Sequence, residues 1–579
     1  MIVGGLLCGP FAVQAQPYFQ QRVDHRMAVR LDDVRHELHA AQEFTYTNNS
    51  PNALDTIWMH LWPNAYRDHH TALCQAHDKS NDFDLHFAER KDRGWIDSLD
   101  FRSDGQLLEW SLHCCFHDIA WIKLPAPLLP EASITISTPF RVKIPDGRFS
   151  RLGHTGQAYY ITQWYPKPAV YDRQGWHPMP YLSQGEFYSE FGSFDVSITL
   201  PANYVVGATG EQQNDAERAW MDSLAAVPAR LENGTNEFPG SSPSVKTLRY
   251  VQSDVHDFGW FADKRFIVRK GEVRLPKSGR SVTTWAMCTP KNAMEWKNAA
   301  DYVGEAVFNY SRWVGEYPYS ACTAVDGTIA AGGGMEYPMI TIIGNVGDTM
   351  GLDEVIAHEV GHNWFYGILG SNERDHPWMD EGVNSFCELR YMRLRYPGRK
   401  SVIADGIPSF LLGGRRIGHR DISELAWQLN ARRNMDQPPA LASEEFTPTN
   451  YGTCVYMKTS LVFDHLFAYL GDSLFDACMH TYYDRWHHKH PRPGDMKAVF
   501  EEVSSRDLGW VFDHGLGTNA KTDVKALKVK NGSFKYTVRG SHAIPFPTSA
   551  WRGNDSLGTI WTQPSTGMGL VDLPWKEAS

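Results

Sequence analysis

His358-Glu359-Val360-Gly361-His362 is followed, eighteen residues on, by Glu381 in the run Trp378-Met379-Asp380-Glu381-Gly382. On a helix, His358 and His362 stand four positions apart and project from one face on successive turns. Two imidazoles so placed share one zinc ion, with Glu359 beside them as a general base. Glu381 completes a His, His, Glu set and leaves one position open for water, as a catalytic zinc requires. A lone H-E-x-x-H recurs by chance in unrelated helices, and three features here argue against chance. Leu352, Ile356, Val360 and Trp364 make a separate apolar stripe, so the segment reads as a buried helix with a polar face of its own. Gly361 in mid-helix costs about 1 kcal/mol relative to Ala, which points to close packing or function. A second helical pattern, Val383, Phe386, Cys387 and Leu389, opens at Glu381, with Trp378 and Met379 anchoring its start.

The flanking chain is long and ordinary in composition. Its 579 residues suffice for several domains, and 42% hydrophobic with 21% charged residues marks a globular protein. A net charge of −11 and no basic stripe argue against nucleic acid as a partner. No stretch approaches the ~18 apolar residues of a membrane span, so no stable membrane insertion is expected. Residues 1–15, MIVGGLLCGPFAVQA, read as a secretion leader with Val13-Gln14-Ala15 as its cleavage site, although Lys and Arg are missing near its start. An exported bacterial protein is therefore expected: periplasmic, cell-surface or secreted. The nine cysteines lack the spacing of a disulfide framework. The adjacent Cys114 and Cys115 read as packing residues.

Residues 16–254 carry strand signals. Phe194, Val196, Ile198 and Leu200 alternate with polar residues up to Pro201, and Ile134 and Ile136 alternate with Thr135 and Ser137. Residues 255–515 turn mixed and then helical. Trp296, Ala299, Val303, Ala306, Val307 and Tyr310 repeat at helical spacing, and a further helix is expected from Tyr456 to Leu470, stopped by Gly471. His487, His488 and His490 read as a solvated, Pro-flanked loop. Residues 516–579 are strand-like again, with a hairpin signal at Asn531-Gly532. That last piece is too small for a large core of its own.

Two more motifs join the metal residues. Gly333-Gly334-Met335-Glu336-Tyr337 reads as a glycine-rich approach to a strand through Ile340-Thr341-Ile342. A strand at a cleft edge hydrogen-bonds an extended peptide, and a carboxylate there pairs with a substrate ammonium. The plain alternative is a Gly-rich turn before a core strand. The other motif is Tyr456-Met457-Lys458-Thr459, whose tyrosine reads on its own as packing. Together these residues resemble the aminopeptidase N family of gluzincin metallopeptidases, which includes leukotriene hydrolase, over roughly residues 150–515. The family's W-L-N-E-G, G-A-M-E-N and Y-x-K-G are similar to WMDEG, GGMEY and YMKT here. Gly334, Tyr337 and Thr459 depart from it and set this chain on a divergent bacterial branch. The resemblance implies a β-rich N-terminal domain, a thermolysin-like, mainly helical α/β catalytic domain and a short C-terminal β segment. It implies one zinc per chain on His358, His362 and Glu381, Glu359 as base, and Tyr456 at the developing oxyanion. Gly333, Gly334, Met335 and Glu336 would bind the substrate, with Gln163 near its amine. The expected activity is removal of the N-terminal residue of peptides. Its rivals are an endopeptidase on the same domain and an inactive peptide-binding protein, which the intact His358, Glu359, His362 and Glu381 oppose.

Overall fold

The computed structural model describes residues 17–185, 187–228, 234–327, 330, 333–397, 417–530, 533–552, 555–572 and 574. The expected leader at 1–15 and the turn residues Asn531 and Gly532 lie outside the described residues.

The N-terminal part is built of sheets. The largest aligns Val245–Val255, Gly192–Pro201, Arg22–Asp32, Glu37–Thr47 and Ser133–Lys143 side by side, with short strands at both ends. Its pairs are antiparallel except Arg22–Asp32 with Gly192–Pro201, which run parallel. The expected alternation holds: in Gly192–Pro201 the even-numbered residues are buried and the odd ones half-buried. The strand of Ile134 and Ile136 runs through Pro139 to Lys143. Two four-stranded sheets complete this part, one containing Leu54–His60 and Ile119–Leu128, the other Ala158–Ile161 and Trp260–Asp263. The second of these carries the sheet system past residue 254.

Next comes a mixed five-stranded sheet in the order Ile267–Arg274, Ser281–Cys288, Ala321–Asp326, Ile340–Ile343, Gly334–Tyr337. Its last strand returns antiparallel to its neighbour and forms the sheet's edge. The helices Ala299–Trp313 and Thr349–Gly361 pack on this sheet and on each other. Glu381–Arg395, Thr459–Leu470, Asp472–Trp486 and Pro493–Ser504 follow. Asp348 caps the Thr349–Gly361 helix, its carboxylate accepting from the backbone N–H groups of Met350 and Gly351. Gly471, at φ +77°, ends Thr459–Leu470 as expected.

Among the described residues one large hydrophobic core links residues from Val23 in the first sheet to Leu516 past the last helix, with a small second cluster of Phe446, Tyr451, Cys454 and Val455 beside the Tyr456 segment. The strands from Asp523 onward stand outside it and lean on the Thr459–Leu470 helix, where Trp561 meets His465 and Tyr469, both at 5.3 Å between ring centres. No helix among the described residues is long and apolar enough to cross a membrane.

Four local expectations need correction. Cys114 and Cys115 are exposed rather than packed, because they sit in the turn between two strands. His490 is not solvated: it is 6% exposed, and its ring meets Gly370 O at 2.6 Å and Glu190 Oε2 at 3.1 Å. The Tyr456 segment is not regular α-helix, since Tyr451–Lys458 is π-helical and the α-helix starts at Thr459. Gly361 closes its helix instead of sitting in its middle.

Candidate metal and peptide site

The two histidines leave the end of one helix and Glu381 begins the next, so three side chains meet where the helices touch. His358 Nε2 lies 3.1 Å from His362 Nε2, and Glu381 Oε2 lies 3.2 Å from each. Ligands held about 2.0–2.1 Å from a tetrahedral ion stand about 3.3 Å from one another. Donor chemistry and spacing therefore fit zinc. The opposite ring nitrogens are held as well. His358 Nδ1 is 2.8 Å from Glu388 Oε2, and His362 Nδ1 is 2.6 Å from Asp380 Oδ1. A carboxylate on Nδ1 fixes the tautomer and turns the Nε2 lone pair toward the metal position. Burial alone would lower the His358 pKa, but its hydrogen bonds to Glu381 and Glu388 outweigh that and hold it at about 10 in the protein alone. Metal binding must displace that proton.

Glycines let the pieces approach. A Cβ on Gly361 would lie 2.1 Å from Asn384 Oδ1 and 2.4 Å from the Tyr310 hydroxyl. Those two groups bond each other, Tyr310 donating to Asn384 at 2.8 Å, and the Asn384 amide donates to His358 O at 2.8 Å. A Cβ on Gly382 would lie 2.4 Å from Thr459 Cγ2, which shows how closely the Glu381 helix meets the Tyr456 segment. There the π-helical turn presents Tyr456, whose hydroxyl donates to Glu381 Oε1 and whose ring stacks on His358 at 6.0 Å. Departures from regular helix of this kind gather at functional sites.

The edge strand Gly334–Tyr337 faces the helix. A Cβ on Gly334 would lie 2.6 Å from the Glu359 carboxylate, so glycine is what allows Glu359 to sit against this strand. Glu336, 4% exposed, shares that side of the strand, and its Oε1 is buried without a hydrogen-bond partner. Carboxylate oxygens of Glu336 and Glu359 and a ring nitrogen of His362 lie within 4.8 Å of one another. Burial pushes the Glu336 carboxyl well above the usual carboxylate range; His362 opposes this, while Glu359 and Glu381 add to it. Met335 and Tyr337 point to the other side. The Arg151 guanidinium reaches Met335 Sδ at 3.0 Å, and Tyr337 packs 6.3 Å from both Phe187 and Phe261. Tyr337 therefore departs from the family motif on the core side of the strand, away from the metal residues.

A cavity of about 290 Å³ opens over these residues, lined among others by Gly333, Gly334, Glu336, His358, Glu359 and Tyr456. Gln163 is absent from its wall. Its carboxamide donates to Asp257 Oδ2 at 2.7 Å and accepts from Lys167 Nζ at 3.1 Å, within a fully buried Lys167–Asp257 ion pair. Gln163 is thus committed to the core, and the structure does not bring it to the expected amine site. Three residues that the sequence reading passed over complete the surroundings. Asp380 directly precedes Glu381, and Glu388 follows it by seven residues, two turns along one helix face. His419 Nε2 lies 2.6 Å from Glu388 Oε1.

Residues 340–514 match the family model described as the peptidase family M1 domain. Leucine aminopeptidase 2 of Chaetomium globosum is 23% identical over 329 residues, covering 50% of this chain and 49% of the relative. Aminopeptidase N of Oryctolagus cuniculus is 22% identical over 230 residues, covering 37% of this chain and 22% of the relative. The chain thus spans about half the length of the first and under a quarter of the second. In fold it is similar to the M1 zinc metallopeptidase of Deinococcus radiodurans, with a TM-score of 0.54 at 14% identity, covering 86% of this chain and 93% of that one. A mutant of that protein bound to a Tyr-Ser-Ala substrate also gives 0.54, at 13% identity, covering 86% of this chain and 94% of that one. Residues 340–514 thus match the M1 peptidase domain, the weak homology runs to aminopeptidases, and the fold is that of an M1 zinc metallopeptidase, which a divergent relative of that family fits.

Proposed function

We propose that this chain is a zinc-dependent aminopeptidase that removes the N-terminal residue of peptides. The observation that carries the reading is Glu336: a buried carboxylate with an unpartnered oxygen, on an edge strand, beside the base and one metal-facing histidine. An extended peptide laid along that edge meets a carboxylate suited to a free ammonium, which would fix the cut after one residue.

His358, His362 and Glu381 would hold one zinc per chain. Zinc bound there supplies Lewis-acid polarisation of the scissile carbonyl and lowers the pKa of water. Glu359 accepts the proton of the attacking water and passes it to the leaving amine. The Tyr456 hydroxyl donates to the oxygen that gains charge as the carbonyl is attacked, leaving its bond to Glu381 to do so. Asp380 and Glu388 hold the two imidazoles by their Nδ1 atoms and keep them from swinging.

The test uses aminoacyl amides, each free and N-acetylated, with and without a chelator. Free substrates should be cleaved, acetylated ones not, and the chelator should abolish turnover. Glu336→Ala should keep its zinc and lose about 10- to 150-fold in kcat/KM on free substrates, the worth of a charge-assisted hydrogen bond. Efficient wild-type cleavage of acetylated or internal bonds would replace this reading with the endopeptidase one.

A further inference from the structure

Of the carboxylates lining the cavity, the proposed chemistry uses Glu336, Glu359, Glu381 and Glu388, and leaves Glu354 without a task. Glu354 stands one helical turn before His358, as His358 stands one turn before His362, so the three follow one another at about 6 Å intervals along the helix. Glu336 gathers with Glu359 and His362 at the far end of that row, whereas Glu354 gathers with Glu388 and His419 at the near end. The two carboxylates thus flank the metal triad on opposite sides. A peptide whose ammonium is held by Glu336 and whose first carbonyl lies over the triad must send its second residue toward Glu354. Glu354 Oε2 is a buried oxygen without a hydrogen-bond partner, and its other oxygen lies 3.5 Å from His419 Nδ1. Val355 lines the cavity beside it and offers an apolar surface to a methylene chain. Among the described residues, the cavity wall contains neither Lys nor Arg.

We infer that Glu354 selects the residue following the scissile bond, and that the enzyme prefers peptides carrying Lys or Arg in second position. This rests on the aminopeptidase reading above. An ammonium or guanidinium there finds the buried Glu354 oxygen, whereas an acidic side chain meets the like charges of Glu354 and Glu388.

The experiment compares kcat/KM for Leu-Lys-Ala, Leu-norleucine-Ala and Leu-Glu-Ala by the leucine released. Norleucine matches the apolar stem of lysine without its charge. The lysine peptide should be cleaved at least about tenfold better than the norleucine peptide, with the glutamate peptide last. Glu354→Gln should remove most of that advantage at unchanged zinc content, and Glu354→Lys should raise the glutamate peptide above the lysine one. Equal wild-type values for lysine and norleucine overturn the inference, as does an advantage that survives in Glu354→Gln. Should either variant fail to fold, the wild-type ratio alone decides. If the three peptides are cleaved equally, this inference falls and the aminopeptidase reading stands; if none is cleaved, both fall.

Discussion

Single residues carry the chemistry, and they separate by what each loses when changed. Glu359→Gln keeps a side chain of the same shape against Gly334 but cannot take a proton. It should retain zinc and lose about 10²–10⁴-fold in kcat. Tyr456→Phe removes a donor whose contact strengthens as charge develops, so kcat should fall more than KM rises. Steady-state kinetics alongside elemental analysis check both, and near-normal kcat in either variant removes that residue from the mechanism. The triad was legible in the sequence because helical spacing alone brings His358 and His362 together. Asp380 and Glu388 were not, because their part depends on which ring nitrogen faces which way, and sequence spacing carries no such direction. Gln163 misled for a related reason. Its position in the chain resembles that of a substrate-binding residue, yet the buried Lys167 and Asp257 claim its amide.

At the scale of elements, the helix junctions decide whether those residues meet. Gly361→Ala would drive a methyl into Asn384 Oδ1 and the Tyr310 hydroxyl, and the helix end must move to relieve it. Overpacking of this kind costs about 1–3 kcal/mol, and here the displaced residue adjoins His362. The variant should melt earlier and bind zinc more weakly, read by thermal denaturation and zinc titration; wild-type values for both would show that the junction gives way freely. Periodicity revealed the helices and the strand of Gly192–Pro201, because burial on one face writes itself into the spacing of apolar residues. It did not reveal the π-helical turn at Tyr451–Lys458. That turn is a backbone shift at the place where the helix of Gly382 meets Val455 and Thr459, and its side chains still read as ordinary helix.

Across the whole molecule, the large core from Val23 to Leu516 joins the N-terminal sheets to the helices of His358, His362 and Glu381. Removing residues 1–254 should therefore leave no soluble, zinc-binding protein. Removing residues 523–579 should leave one cooperative melting transition and full zinc content, with a modest loss of midpoint from uncovering Tyr469 and His465. Calorimetry of the two shortened chains decides; a separately folding catalytic part would contradict the shared core. The sequence showed the change from strands to helices but not this continuity, since composition along a chain says nothing of which apolar faces meet.

The contact of Gly361 with Asn384 and Tyr310 also bears on how such a chain can diverge. A larger residue at 361 is tolerable only if the Tyr310 ring moves and the side chain at 384 shrinks. Shrinking it releases the His358 carbonyl and strands the Tyr310 hydroxyl in the core. The three positions are locked to one another, so drift at any one of them alone is penalised. Among relatives with as little overall identity as those found here, this trio should change in concert or stay fixed, leaving a covarying signature around the metal residues.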